Sequence, residues 1–290
     1  MDIISALLLF TSASFAAVKN GFIKTFHGFS IKNREFFGIQ SAIFGAGCIV
    51  LFFVNIFDFK GIAPLTVWLA LAYGLLLVCA QWFYTIALTK GKTAICATVY
   101  SFGFVIPTLS GTLFWDESIS IFGYLGILTV IPVLLISGFG AKKEVNSNNS
   151  KGFILPLVLA LLCSGGLGIV QKIQQKSEYA NQKSTLILIA FAFAFLSSLL
   201  FFLILKPGEK RLCVRNLGFG ACTGVVFSAC NLINTYLAGK LDSAIFFPAI
   251  NVGSILTSLA LGLAIYKERL TKKDLLVLCL GILSIILVNF

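Results

Sequence analysis

The chain has 290 residues, of which 58% are apolar and 11% charged, and its mean hydropathy is +0.99. Soluble domains carry roughly 45–50% apolar and about 25% charged residues, so there is too little polar side chain to cover a water-exposed surface, and a soluble enzyme is excluded. A net charge of +11 would suggest a nucleic-acid partner in a soluble protein, but these basic residues are scattered through short connections between apolar runs, as in cationic loops that orient a membrane protein.

At about 20 residues per crossing of a hydrocarbon layer, ten helices need roughly 200 residues and leave about 90 for connections. Ten apolar segments are predicted, at 3–23, 36–57, 65–88, 93–115, 119–140, 152–175, 184–205, 217–238, 243–266 and 274–290. Only Asp2 precedes the first as a charge, so the basic start of a secretory signal is missing despite the small-residue run SASFAA at 12–17, and the segment is read as a retained helix. Breaks between segments carry charge or turn chemistry, as in Asp58-Phe59-Lys60-Gly61, Lys206-Pro207-Gly208-Glu209 and Lys267-Glu268-Arg269. The longest polar stretch, AKKEVNSNNSK at 141–151, divides the segments five and five. It is read as a linker between a first unit at 1–140 and a second at 152–290. The expected fold is all-α and polytopic, with ten transmembrane helices.

Each half ends on a comparable string, LFWDESIS at 113–120 and AIYKERLT at 264–271, which matches Glu117 with Glu268 at an offset of 151. YTIALTKGKTAI at 84–95 sets against NTYLAGKLDSAI at 234–245 at an offset of 150, pairing Thr85 with Thr235 and Lys90 with Lys240. FAAVKNGFIK at 15–24 lies against LGIVQKIQQK at 167–176 at 152. Three regions agreeing within two residues indicate a duplication. Five crossings is an odd number, so the second copy would enter from the opposite face. The product is an inverted repeat, with a shared cavity that opens to either side as one half rocks against the other.

These features resemble the drug/metabolite transporter superfamily in its ten-helix form with two EamA-like repeats. The resemblance covers essentially the whole chain. It rests on the Glu117-Ser118-Ile119-Ser120 and Glu268-Arg269-Leu270-Thr271 strings that open the last helix of each half, on Ala87-Leu88 followed by small and polar residues, and on Pro107 and Pro248 in the fourth helix of each half. It departs from the family at Ala13-Ser14 and Ser164-Gly165, where Trp-Gly is frequent, and at Gln40 and Ala192, where Arg is frequent. Those positions face the cavity in relatives, so the departures bear on the substrate. The resemblance implies a secondary carrier of small organic molecules: amino acids, other metabolites, nucleotide sugars or drugs.

Lys and Arg number 16 in the connections after segments 1, 3, 5, 7 and 9, and 4 in those after segments 2, 4, 6 and 8. The charge rule places the odd connections in the cytoplasm and both termini outside. Members of the family are drawn with both termini inside, so the two expectations oppose each other.

Ionisable groups inside a membrane are costly and therefore informative. No Asp or Glu falls centrally in any segment. Asp116, Glu117 and Glu268 sit at helix ends, and Asp242 and Asp274 at segment starts; Glu117 and Glu268 are expected to anchor the following helix at its positive dipole end. That weighs against a proton-coupled exporter of drug cations. One histidine, His27, and eight cysteines without a C-x-x-C pair give no zinc ligand set, and no cofactor is expected.

Lys19, followed by Asn20 late in the first segment, can snorkel to the interface or attract a substrate carboxylate or phosphate. Lys172, in a polar helix end, is expected at the interface. Gln81, Trp82 and Tyr84 correspond at an offset of 150 to Asn231, Leu232 and Asn234, which would bring amides to matching depths in both halves. Amides both donate and accept, which suits a zwitterion or polyol. Trp82 and Tyr100 could offer ring faces, and Tyr100 aligns with Asn251 at 151. The same residue types also join helices, and tryptophans form interfacial belts, the role expected of Trp68 and Trp115. The candidate substrate-binding residues are therefore Lys19, Gln40, Gln81, Trp82, Tyr84, Tyr100, Asn231, Asn234 and Asn251. Small residues recur every four positions at Ser254, Ser258 and Gly262, at Gly103, Pro107 and Gly111, and at Gly220 and Gly224, which predicts close helix approach. Pro107 and Pro248 are expected to kink their helices.

The leading expectation is a secondary transporter moving a small polar metabolite, an amino acid or related solute, across the cell membrane by alternating access. Its partners are that solute and the membrane lipids. A multidrug exporter of the same superfamily comes second. A membrane-embedded lipid-modifying enzyme would need acid/base or metal-binding groups gathered at headgroup depth, and scattered carboxylates with one histidine do not supply them.

Overall fold

The computed structural model describes residues 3–25, 34–57, 59–114, 120–140, 154–207, 212–240, 243–265, 267 and 270–288. The described residues form helices and no strand: α1 (Ile3–Thr25), α2 (Arg34–Phe57), α3 (Pro64–Lys90), α4 (Thr93–Ser101), α5 (Val105–Phe114), α6 (Ile121–Gly140), α7 (Ile154–Lys176), α8 (Lys183–Ile204), α9 (Val214–Lys240), α10 (Ser243–Ala264) and α11 (Lys272–Val288). Apolar runs of this length become helices because, in hydrocarbon, each backbone N–H and C=O must be bonded within its own segment.

Among the described residues six helices, α1, α2, α3, α7, α8 and α9, are long and apolar enough to cross a membrane by length and composition. A shorter apolar stretch, Gly253–Ala264, lies in α10. Large apolar side chains point outward at helical spacing, such as Ile49, Phe53 and Ile56 on α2 and Leu196, Leu200 and Leu203 on α8. Apolar stripes of this extent fit contact with lipid chains rather than water, so the fold is that of a multi-pass membrane protein.

Cross-helix contacts fix the relative direction of the elements. α1 runs antiparallel to α9, since Ser12 meets Asn234 while Phe22 meets Phe219. α3 runs antiparallel to α7, through Tyr73 with Gln171 and Thr66 with Gln174. α2 runs antiparallel to α8, with Gly38 beside Phe202 and Asn55 bonded to the Ser184 carbonyl. The parallel pairs are α2 with α9 (Gly220 on Ile39, Gly224 on Ile43), α1 with α10 (Ala13 on Gly253, Asn20 on Ser258) and α4–α5 with α7 (Gly103 on Ser164, Pro107 on Gly168). α3 is likewise parallel to α8, Thr66 meeting Gln182 just before α8 and Gly74 meeting Ala190 within it.

Two of these seams are made by backbone. A Cβ on Gly224 would stand 2.0 Å from the Ile43 carbonyl oxygen, and one on Gly74 would stand 2.8 Å from that of Ala190. Gly220, Gly224 and Gly103 thus make the close approaches expected of them, and Gly74 adds one that the four-residue spacing did not mark. Around the seams lie two apolar clusters. One, with Tyr84, Leu88, Val99 and Phe102, ties the end of α3 to α4; the other, with Phe44, Tyr73, Leu77 and Phe191, joins α2, α3 and α8.

The single helix expected at 93–115 is divided: α4 ends at Ser101, a 3-10 turn occupies Phe102–Phe104, and α5 begins at Val105. Pro107 has no N–H to give its i−4 partner, the Gly103 carbonyl, and its ring crowds that group. The break therefore falls a turn ahead of the proline. The side chain of Pro248 lies outside the described residues, as do Trp115, Glu117 and Glu268. The described caps on the helices following those two glutamates are Ser120 and Thr271. Ser120 Oγ accepts from the Gly123 N–H at 3.0 Å. Thr271 Oγ1 accepts from the Asp274 N–H at 3.3 Å, and the Asp274 carboxylate accepts from the Thr271 N–H at 2.8 Å, a capping box that starts α11. Lys92 pairs with the same carboxylate.

The α2–α3 and α7–α8 connections are knotted together by buried amides. Gln182 Oε1 accepts from the Ala63 N–H at 3.0 Å and the Thr66 hydroxyl at 2.7 Å. Gln174 Nε2 donates to the Tyr179 carbonyl at 2.6 Å. Leaving such donors unmet costs about 1–3 kcal/mol. Gln182→Leu is therefore expected to lower the unfolding free energy by about that amount, read as a lower melting temperature in detergent with helical circular dichroism unchanged below the transition.

Candidate functional site

Seven residues, or about two helical turns, separate Ser12 from Lys19 on α1 and Phe227 from Asn234 on α9. Each pair therefore lies on one helix face, and the antiparallel seam brings the two faces together. At one end, the Ser12 hydroxyl donates to Asn234 Oδ1 at 2.6 Å and lies 3.3 Å from Cys230 Sγ. At the other, the Lys19 ammonium stands 4.5 Å from the centroid of the Phe227 ring and 5.8 Å from that of Tyr84. Tyr84 on α3 packs on Tyr100 of α4, with ring centroids 4.3 Å apart. Asn20 Nδ2 donates to Ser258 Oγ of α10 at 3.3 Å. Helices α1, α3, α4, α9 and α10 thus converge on Lys19 and its neighbours.

The electrostatics of this group are unbalanced. Lys19 is 8% exposed, and among the described residues no carboxylate comes within ion-pair distance of it. Burying an ion costs several kcal/mol after relaxation, whereas ring faces return about 2 kcal/mol. Two more buried polar atoms, Asn20 Oδ1 and Gln81 Nε2, have no hydrogen-bond partner. Gln81 is 4% exposed and sits one turn before Tyr84 on α3, close to the same face. A cation, an acceptor and a donor are therefore left with unused capacity. Among the described residues no group of three or more His, Cys, Asp or Glu could hold a metal.

Of the residues singled out in the sequence, Lys19, Tyr84 and Tyr100 are brought together, with Gln81 a turn away. Asn234 belongs to the far end through Ser12. Asn231 does not match Gln81 in having a free amide donor: its Nδ2 donates to the Phe227 carbonyl of its own helix at 2.8 Å. Trp82 is not part of the tyrosine pair. It meets Phe37 of α2 edge-on at 5.5 Å and stacks on Phe83, and its Nε1 has no partner. Gln40, one turn after Phe37, is buried with Oε1 unpartnered, so α2 carries a polar spot of its own. Asn251 is half-buried near the middle of α10. Trp68 is 72% exposed on α3, as a belt residue would be.

No family model matches the chain, and neither does any curated protein. A solved crystal structure of a protein is similar to it with a TM-score of 0.62 at 15% identity, over 100% of this chain and 98% of that one. Likeness at this identity concerns the fold alone, and it extends to all of the helices around Lys19.

Sequence reasoning passed over Ser12 and Phe227, read Ser258 only as a packing residue and counted Cys230 only among the cysteines. The available signal was the shared seven-residue interval on α1 and α9, which puts a polar and a cationic group on one face opposite an aromatic and an amide on the other. Serine, cysteine and phenylalanine are ordinary in apolar helices, so none of them draws notice singly.

Proposed function

We propose that the protein is a secondary transporter that carries a small polar organic solute across the cell membrane by alternating access, in the manner of EamA-like members of the drug/metabolite transporter superfamily. The observation that supports this reading is the reciprocity of the helix packing. Let each of the first five segments exchange with the one five places on: α1 with α7, α2 with α8, α3 with α9, α4–α5 with α10, and α6 with α11. The contact of α1 with α9 then becomes that of α7 with α3, α2 with α9 becomes α8 with α3, and α1 with α10 becomes α7 with α4–α5. The contacts of α2 with α8, α4 with α10 and α6 with α11 map onto themselves.

The directions follow the same exchange, the first of these pairings being antiparallel in both members and the next two parallel. Gly74 and Gly224, 150 residues apart, each approach a carbonyl of the exchanged partner helix. Moreover, in the seven pairings whose direction is fixed above, segments an odd number of places apart run antiparallel and those an even number apart run parallel, as in a chain that crosses a layer in alternation. These relations favour two inverted five-helix halves, a geometry in which a site at the seam is reached from either side in turn. The group around Lys19 lies at such a seam, between α1 and α9.

Reconstituted in proteoliposomes, the protein is expected to support saturable exchange of a labelled solute from a panel of amino acids and organic acids, with Tyr84→Ala reducing it at least about tenfold through loss of an aromatic wall of the site. Failure of every panel member to enter above the level of empty vesicles would overturn the proposal.

A further inference from the structure

We infer that the solute is an organic anion whose carboxylate pairs with Lys19, and that Gln81 or Asn20 receives an uncharged hydroxyl of the same molecule. This rests on the transporter reading and narrows its substrate class. Lys19 is buried, carries three donors, and faces aromatic rings where an ion pair would ordinarily be found. In surroundings of low dielectric, attraction to an opposite charge is strongest and repulsion of a like charge equally strong. A carboxylate is thus the group that balances the site, and a cationic solute is excluded from it.

The two remaining open atoms sharpen the class. Gln81 Nε2 can only donate and Asn20 Oδ1 can only accept. A hydroxyl is the group that can answer either, accepting from the first or donating to the second. A second carboxylate would find no second cation there, and a methyl in place of the hydroxyl would leave both amides unmet. The tyrosine pair and Phe227 supply apolar ring surface for a short carbon skeleton. The structure therefore points to hydroxy monocarboxylates.

The test uses the full-length protein in detergent and, as probes, 2-hydroxy monocarboxylates of three to six carbons, the primary amide of each, and inorganic phosphate, with binding read by titration calorimetry. At least one acid is expected to bind about tenfold or more tighter than its amide, as loss of a charge-assisted hydrogen bond would produce, and tighter than phosphate. Lys19→Arg should keep that preference and Lys19→Gln should erase it. The inference is overturned if no acid binds, if acids and amides bind alike, if phosphate is preferred, or if Lys19→Gln still discriminates. Should Lys19→Gln fail to fold, the acid-against-amide comparison on the unaltered protein decides the matter alone. Acid-selective binding without vesicle flux would refute transport and leave the anion site standing. Flux of a neutral or cationic solute indifferent to Lys19 would do the reverse.

Discussion

Replacing Lys19 by Met is expected to make the protein more stable and to abolish its movement of solute. The methionine side chain is close in length and volume to lysine, so it can fill the same space among Phe227, Tyr84 and the α1 backbone. What it removes is a charge that is 8% exposed and has no acidic partner among the described residues. Against a desolvation cost of several kcal/mol, two ring faces return only part, so the exchange should raise the unfolding free energy by about 1–3 kcal/mol. A higher melting temperature, together with flux at the level of empty vesicles, is the expected pair of results. A lower melting temperature would mean that the lysine is a structural member of the bundle, and the functional reading of the cluster would fall with it. The opposition of the two readouts matters, because a simple packing residue would move both in the same direction.

The second large effect is expected at Gly224. Any side chain there begins with a Cβ placed 2.0 Å from the Ile43 carbonyl oxygen and 2.8 Å from its carbonyl carbon. Backbone cannot swing aside as a flexible side chain can, so α9 would have to retreat from α2 and loosen the packing of Phe227 on Phe191, whose centroids are 5.5 Å apart. Gly224→Val should cost about 3 kcal/mol or more, seen as loss of monodisperse protein on size exclusion or a sharply lower melting temperature. Gly218 supplies the control on the same helix. A Cβ there meets nothing within 4 Å, and Gly218→Ala should be neutral or gain up to about 1 kcal/mol from helix propensity.

The helices were legible in the sequence because apolar runs of about 20 residues have few alternatives in a membrane. The close approaches were also legible, since Gly220 with Gly224 and Gly103 with Pro107 repeat at the interval that lines one helix face. The kink expected of Pro107 takes the form of the 3-10 interruption at Phe102–Phe104. A proline marks its own position in the sequence, but the group it deprives of a donor is the carbonyl four residues earlier. At the site, Lys19, Tyr84 and Tyr100 stood out as polar or ionisable groups in apolar surroundings. The register that sets Ser12 on Asn234 and Lys19 on Phe227 spans more than 200 residues of chain and leaves no local mark. The matching of Gln81 with Asn231 shows a different limit. Equivalence under a repeat says where two residues stand in their own halves, whereas bonding depends on what surrounds each: Gln81 keeps an open donor, while Asn231 bonds the preceding turn of its helix.

Interlocking side chains must unmesh before one helix can slide on another. At Gly224 there is nothing to unmesh, since bare backbone rests on the backbone of Ile43, while Gly74 lies against both the Ala190 carbonyl and the Phe193 side chain. Both contacts join the first five segments to the last five, so in the transporter proposed above they are where one set would turn on the other. Directional bonds tie the same two sets together elsewhere, chief among them those of Gln182 to Ala63 and Thr66, and any such turn would have to strain or break them.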